Sequence, residues 1–436
     1  MKPNLPILTR RQFLRRGAIV GALTWTIPAF LDRTMAILQA ATLDGRPPAV
    51  AGRDAKVLVL LQLAGGNDGL NTLVPIGDDD YHRARPSLGV PDGSALRLGE
   101  RAGFHPNLGG LKSLYDEGRL GVVQAVGYPN PNRSHFRSTD IWQTASDANQ
   151  SWTTGWVGRF FDHCCAGAPA SVGLGLGGQM PLVFAAKSPK GVIVENAGGN
   201  PKKGSPGDGP EVAMDDPFAA EESERQGATV EALAGRAPAE GVSALDFVRR
   251  TELDAQVSRD QIADIAAKAK GQGSYPATRL GRELAFVARL IAGGMTTRVY
   301  YVSQGGYDTH TNQKGAHERL LQELGDALKA FAEDLKAQGN LDRVLLMTFS
   351  EFGRRVKENG SGGTDHGAGA PLFLIGGGVK AGVHGEMPSL ASEHLDRGDV
   401  AFRTDFRSVY ATVLEKHLGA SSAAVLGRDF PLLGFL

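Results

Sequence analysis

Thr348-Phe-Ser-Glu-Phe-Gly-Arg-Arg-Val-Lys-Glu358, followed by Asp365-His366-Gly367, is the stretch on which the reading of this chain turns. It begins inside an apolar run, Arg343-Val-Leu-Leu-Met-Thr-Phe349, that reads as a buried strand. Glu351, Arg354 and Arg355 therefore lie at or just past the strand's carboxyl end, where open α/β sheets bind ligands. Asn359-Gly-Ser-Gly-Gly-Thr364 is a loop with no core of its own. It delivers Asp365 and His366 just before a second apolar run, Pro371-Leu-Phe-Leu-Ile-Gly376. Carboxylate, imidazole and guanidinium groups gathered at strand ends suggest a metal site that handles an anion.

Outward from that stretch, apolar runs alternate with helical patterns. Lys56–Leu63 reads as a first strand ending in the glycine-rich turn Ala64-Gly-Gly-Asn-Asp-Gly-Leu-Asn71. Leu120–Val126 and Arg298–Ser303 read as further strands, with short ones at Leu182–Ala185 and Gly191–Val194. Helices are expected over Leu108–Glu117, Ser134–Ser146, Leu245–Lys270 and His317–Gln338; the last carries Leu320, Leu321, Leu324, Leu328, Phe331 and Leu335 on one face. Strands separated by helices predict an α/β fold, a largely parallel sheet covered on both faces. Residues 196–227 are rich in Pro, Gly, Lys and acids and read as a flexible surface insert. One sheet can hold residues 50–436 as a single domain.

Composition narrows the function. Lys+Arg and Asp+Glu both number 47, so no basic field points to nucleic acid. The two cysteines, Cys164 and Cys165, are neighbours and form no metal-binding Cys-x-x-Cys pair. Gly65-Gly-Asn-Asp-Gly69 lacks the G-x-G-x-x-G spacing of a dinucleotide site. At the N-terminus, Thr9-Arg-Arg-Gln-Phe-Leu-Arg15, an uncharged stretch from Gly17 to Phe30 and the small residues around Ala41 read as a secretory signal over residues 1–41. That stretch is too short to span a membrane. The expected location is periplasmic or secreted.

Four strand ends carry chemistry: Asn67-Asp68-Gly69, Asn132-Arg-Ser-His135, Asp308-Thr-His310, and Ser350-Glu351 with Asp365-His366. Each has an ordinary structural reading, such as a turn, a helix cap or a hydrogen-bonded pair. Parallel strands, however, place their carboxyl ends along one edge. Carboxylates and imidazoles converging there repel unless a cation or ion pairs balance them. Oxygen and nitrogen donors without thiolate suit one or two divalent ions: Zn, Mn, Mg or Ca.

These segments resemble the bacterial family known as domain of unknown function 1501. The resemblance is carried by the twin-arginine leader, Gly65–Asn71, Ser134-His-Phe-Arg-Ser-Thr-Asp140 with Ile141-Trp142, Gly155–Arg159, Gly306–His310, Ser350–Arg354, Gly363–Gly367 and Asp405-Phe-Arg407. Together they span nearly the whole chain after the leader. The family in turn resembles the alkaline phosphatase superfamily, which implies a three-layer α/β/α sandwich. It also implies export by the twin-arginine translocase and, as a partner, a second exported protein encoded nearby.

Carried over residue by residue, the superfamily pattern makes Asp68 a metal ligand and Ser134 a nucleophile. Asp308, His310 and His366 become further ligands. Glu351 stands where an Asp-His pair is usual, so one ligand is missing, and Asp365 is the candidate to replace it. The resulting expectation is an exported hydrolase of phosphate or sulfate esters, acting on a small-molecule or polymer anion. One ion would be held by Asp68, Glu351 and Ser134, and a second by Asp308, His310 and His366. Arg354, or else Arg133, would grip the ester's free oxygens. His135 and Asn67 would support the ligands from behind. No Cys/Ser-x-Pro-x-Arg motif is present at Cys164 or Ser134, which argues against a formylglycine sulfatase. The alternative is a metal-stabilised exported binding or assembly protein without turnover.

Overall fold

Strand β1 (Val57–Leu63) is buried along its whole length, and its side chains divide the molecule in two. Val57, Val59, Leu61 and Leu63 join one core with Leu111, Leu284, Val287, Leu321, Leu324 and Phe331. Leu58 and Leu60 join the other with Trp142, Trp156, Phe160, Phe406 and Tyr410. Alternation with a period of two sends successive side chains to opposite faces, so a strand buried at every position has cover on both. That cover makes a three-layer α/β/α arrangement.

The computed structural model describes residues 55–188, 190–195, 258, 260–269, 271 and 273–436. The leader, the 196–227 insert and most of the helix expected over Leu245–Lys270 lie outside these residues; 260–268 is helical. Contacts gather Ala51–Leu436 into one unit. No helix among the described residues is long and apolar enough to cross a membrane.

After β1 the strands are β2 (Leu73–Pro75), β3 (Leu96–Arg97), β4 (Ala102–Phe104), β5 (Leu120–Gly127), β6 (Gly173–Leu176), β7 (Val192–Val194), β8 (Val299–Gln304), β9 (Val344–Phe349), β10 (Ala370–Ile375), β11 (Gly382–His384) and β12 (Thr404–Asp405). The helices are α1 (Gly69–Thr72), α2 (Asp79–Ala84), α3 (Gly109–Asp116), α4 (His135–Thr144), α5 (Trp156–Cys164), α6 (Arg279–Ala292), α7 (Gln313–Ala337), α8 (Phe406–Thr412) and α9 (Ser422–Leu426). The main sheet runs β11-β5-β10-β9-β1-β8-β6-β7, with β12 beside β5, while β2, β4 and β3 form a small separate sheet. Helices α3, α6 and α7 contribute to the first core, and α4, α5 and α8 to the second.

Two strand expectations need correction. Leu182–Phe184 is a 3-10 turn packed in the second core, not a strand. Strand β10 runs antiparallel to both β9 and β5. No crossover helix separates β9 from β10, so the chain reverses through residues 350–369 rather than returning to the sheet's other edge. The reversal has a functional consequence. β1, β5, β8 and β9 share one direction, and their carboxyl ends lie level: Gln62 pairs Phe349, and Leu63 pairs Gln304. The start of β10 meets the end of β5, Ala370 opposite Val126. Residues just before β10 therefore reach the same edge as residues just after the parallel strands.

Candidate metal centre

The turns after β1 and β8 touch. Gly65 has φ +115°, and a Cβ there would come within 2.4 Å of the Asp308 amide nitrogen. Only glycine permits this approach. Arg354, 1% exposed, fills the space behind the turns. Its Nε donates to Gly66 O at 2.7 Å, its Nη1 to Thr364 O at 2.8 Å, and its Nη2 to Gly65 O, to Tyr307 O and to Asp308 Oδ1. The guanidinium that sequence assigned to substrate is occupied by four backbone carbonyls and one carboxylate. Arg354 is a structural tie between the turns.

Three imidazoles surround Asp308. His135, the first residue of α4, places Nδ1 2.9 Å from Glu351 Oε1. His310 places Nδ1 3.3 Å from Asp365 Oδ1, and His366 places Nδ1 2.7 Å from the Arg133 carbonyl. Each ring thus has its Nδ1 on an acceptor and offers Nε2 to the centre, the orientation in which imidazole binds a metal. Nε2 of His310 and of His366 lie 3.0 and 3.2 Å from Asp308 Oδ1 and 2.9 Å from each other. His135 Nε2 is 3.5 Å from Asp308 Oδ2. The group His135, Asp308 and His366 offers ligand atoms within 4.8 Å of one another. Phe352 packs against the His135 and His366 rings, with centroids 4.8 and 4.5 Å away.

The electrostatics agree with a site built for positive charge. Burial by itself raises the Asp308 carboxyl, but bonds from His135, His366 and Arg354 hold it well below the usual carboxylate range. Burial pushes His135 down, yet Asp308 and Glu351 outweigh it and lift the ring to about 9 in the metal-free protein. These residues fit a divalent ion. They supply nitrogen and oxygen donors without thiolate, and the His310–His366–Asp308 triangle has edges that suit a cation about 2.0–2.2 Å from each corner. Glu351 Oε2, buried without a hydrogen-bond partner, adds negative potential behind His135.

The sequence-predicted residues separate into layers. Asp308, His310 and His366 come together, and His135 joins them at the centre rather than behind it. Glu351 and Asp365 stand one bond further out, orienting His135 and His310. Asp68 is not among the converging groups. It caps α1 at Asn71 N, pairs with Arg85 at 2.6 Å with both side chains fully buried, and accepts from Gln313 Nε2. Burial pushes its carboxyl up, and Arg85 brings it back below its ordinary value. The cation at Asp68 is a guanidinium; the two-ion arrangement loses that ligand. Asn67 Oδ1 meets His317 Nε2 at 3.0 Å, in the same buried network. Ser134 lies at the rim: exposed, N-cap of α4, its hydroxyl making no capping bond. Its flanks are fixed by the His366–Arg133 bond and by His135.

Sequence reasoning missed Asp399, a fully buried carboxylate holding Arg133 Nε at 3.0 Å with Arg355 Nε 3.4 Å away. No local pattern marks it. His135 was read from the sequence as a site residue, and only its place in the site differs.

Residues 94–434 match the family described as protein of unknown function DUF1501. The chain belongs to that family. No curated protein matches it. Among solved structures, this DUF1501 protein is similar to an alkaline phosphatase superfamily protein from Vibrio parahaemolyticus, at 13% identity over 87% of this chain and 71% of that one, TM-score 0.38. It is also similar to the PsFucS1 sulfatase from Pseudoalteromonas sp., at 11% identity over 92% and 72%, TM-score 0.33. A third is the alkaline phosphatase of the Antarctic bacterium TAB5, at 11% identity over 76% and 94%, TM-score 0.33.

Proposed function

We propose that this protein is an exported, metal-dependent hydrolase of phosphate or sulfate esters with Ser134 as its nucleophile. The observation that carries the reading is the arrangement of His135, His310 and His366, each anchored at Nδ1 and each turning Nε2 toward Asp308, beside an exposed, uncapped Ser134 hydroxyl. His135, His310, His366 and Asp308 would hold a divalent ion, which would supply Lewis acidity at an ester oxygen. Ser134 is the N-cap of α4, at the helix end whose dipole favours an oxyanion. Its attack at phosphorus or sulfur displaces the alcohol, and water then releases the oxyanion. An open cavity of about 400 Å³, walled by Pro129, Asn130, Asn132, Asp147, Ala148 and Asn149, lies on the loop side of Ser134. Asn132 of that wall accepts the Ser134 amide at 2.8 Å.

A second reading, a metal-stabilised binding protein without turnover, draws on one observation: Arg354 already balances Asp308 and has no reach toward a substrate. Assay of metal-loaded protein, purified after export, against phosphate and sulfate monoesters separates the two. Under the hydrolase reading Ser134→Ala removes turnover and keeps the metal. Absence of turnover by the wild type on every ester assigns the binding role. For export, Arg10→Lys with Arg11→Lys should leave uncleaved protein in the cytoplasm, because the pair is read by a receptor rather than as charge. Unchanged export would assign the leader to another pathway.

A further inference from the structure

We propose that Arg133 and Arg355, set by the buried carboxylate of Asp399, form a clamp for a tetrahedral oxyanion beside the metal centre. The inference rests on the hydrolase reading and names the groups by which that site selects its substrate. Both arginines are tied to the centre through their backbones. The Arg133 carbonyl accepts from His366 Nδ1, and Arg133 immediately precedes Ser134. The Arg355 amide donates to the Asp365 carbonyl at 2.9 Å, while its neighbour Arg354 bonds Asp308.

Both side chains turn to one acceptor. Asp399 is 0% exposed, and its Oδ2 takes Nε and Nη2 of Arg133. Its Oδ1 has no hydrogen-bond partner and faces Arg355 Nε at 3.4 Å. The Arg133 and Arg355 side chains stay partly open to solvent, 34% and 37% exposed. Two guanidiniums on one carboxylate leave the trio net positive. Of the other carboxylates, Asp396 bonds Arg397, and Asp365 bonds Asn359 and His310 while also feeling the Arg355 charge. Arg355 Nη2 reaches the Arg397 carbonyl, and no acceptor among the described residues takes Nη1 of either arginine. Burying a carboxylate outright carries a large desolvation penalty. An exposed pair of arginines needs no such partner to remain folded. The arrangement makes physical sense where the planar forks must hold one direction, as they must to meet oxyanion oxygens pairwise. Arg354, nearer the centre, is fully consumed by carbonyls and leaves this task to its neighbours.

The test is calorimetric titration of inorganic phosphate, and separately sulfate, into protein purified after export, both metal-loaded and chelator-treated. Wild type should bind at least one of the two anions; binding of neither overturns the clamp. Arg133→Gln and Arg355→Gln should each weaken binding about tenfold or more, and the double variant more still. Asp399→Asn should weaken it without changing metal content. Arg97→Gln, on the separate small sheet, should change nothing. Unaltered anion affinity in the folded double variant overturns the clamp. Should the double variant not fold, Arg133→Lys and Arg355→Lys keep the charge but lose the fork; affinity equal to wild type in both again overturns it. Because anion binding needs no turnover, the two readings fail separately. Turnover with anion affinity indifferent to these arginines sinks the clamp alone. Arginine-dependent binding with no turnover on any ester sinks the hydrolase reading and keeps the clamp.

Discussion

Arg354 and Asp308 form an ion pair at 2.7 Å, and the Asp308 oxygen that accepts it is the one faced by Nε2 of His310 and His366. One oxygen thus joins the structural half of the site to its chemical half. The guanidinium fixes the carboxylate from behind, and the imidazoles define what can bind in front.

Replacing Arg354 should therefore damage folding before it damages chemistry. Arg354→Ala strips a buried donor set from Gly65, Gly66, Tyr307 and Thr364 and leaves Asp308 uncompensated. The expected loss is about 3–5 kcal/mol in urea unfolding. Lysine should not restore it, since it lacks the fork. Wild-type stability in Arg354→Ala would mean the guanidinium is free, and would return it to the role of substrate ligand.

Metal content should depend on the inner residues and not on Asp68. His366→Ala and His310→Ala are expected to lose the divalent ion in elemental analysis of the purified protein. Asp365→Asn, which releases His310 Nδ1, should weaken binding about 10–100-fold. Asp68→Asn should lower stability by unpairing buried Arg85 while leaving metal content intact. Loss of the ion in Asp68→Asn alone would restore Asp68 as a ligand.

Two histidines set opposite pH dependences in the metal-free protein. His135 is raised from 6.5 to about 9, so its contribution to stability is full below pH 6.5 and disappears as pH rises through about 9. His317, buried and lowered to about 4, works the other way: stability is full above pH 6.5 and falls as pH drops toward 4. Denaturant midpoints measured across pH should be flattened on the alkaline side by His135→Gln and on the acid side by His317→Gln. An alkaline limb unchanged in His135→Gln would contradict the assignment. Adding a divalent ion should abolish that limb, because the ion takes the place of the proton.

Gly66→Ala should disturb the centre without touching any ligand. Gly66 has φ +77°, and a Cβ there would come within 2.4 Å of the Phe352 ring that supports His135 and His366. The left-handed backbone alone costs about 1–2 kcal/mol with a side chain, and the contact adds to it. Thermal melting together with metal titration reads both effects. Normal metal affinity in a destabilised variant would separate Phe352 from the site.

Much of the scaffold was legible because strand burial leaves a local mark. The predominantly apolar runs at Val57–Leu63 and Val344–Phe349 can be satisfied only inside a covered sheet, and they appear there, buried throughout. Asp308, His310 and His366 were legible for the same reason, since each lies next to such a run. Gly173-Leu-Gly-Leu176, strand β6, was not legible, because its glycines carry no apolar pattern. Asp68 and Arg85 illustrate the limit. They lie 17 positions apart, as the N-cap of α1 and the C-cap of α2, and no periodicity announces that one will neutralise the other.

The layered α/β architecture and the strand ends at which ionisable groups accumulate can be read along the chain, because apolar periodicity and turn chemistry are local properties. Which groups meet is a matter of the fold. The reversal of β10 brings His366 to the edge that the parallel strands reach with their carboxyl ends. The burial of Arg354 and Arg85 decides which carboxylates are already paired. The anchoring of each imidazole at Nδ1 decides which nitrogen faces the centre. Pairing and orientation depend on distances between segments far apart in the chain, and those distances exist only once the sheet has closed its register.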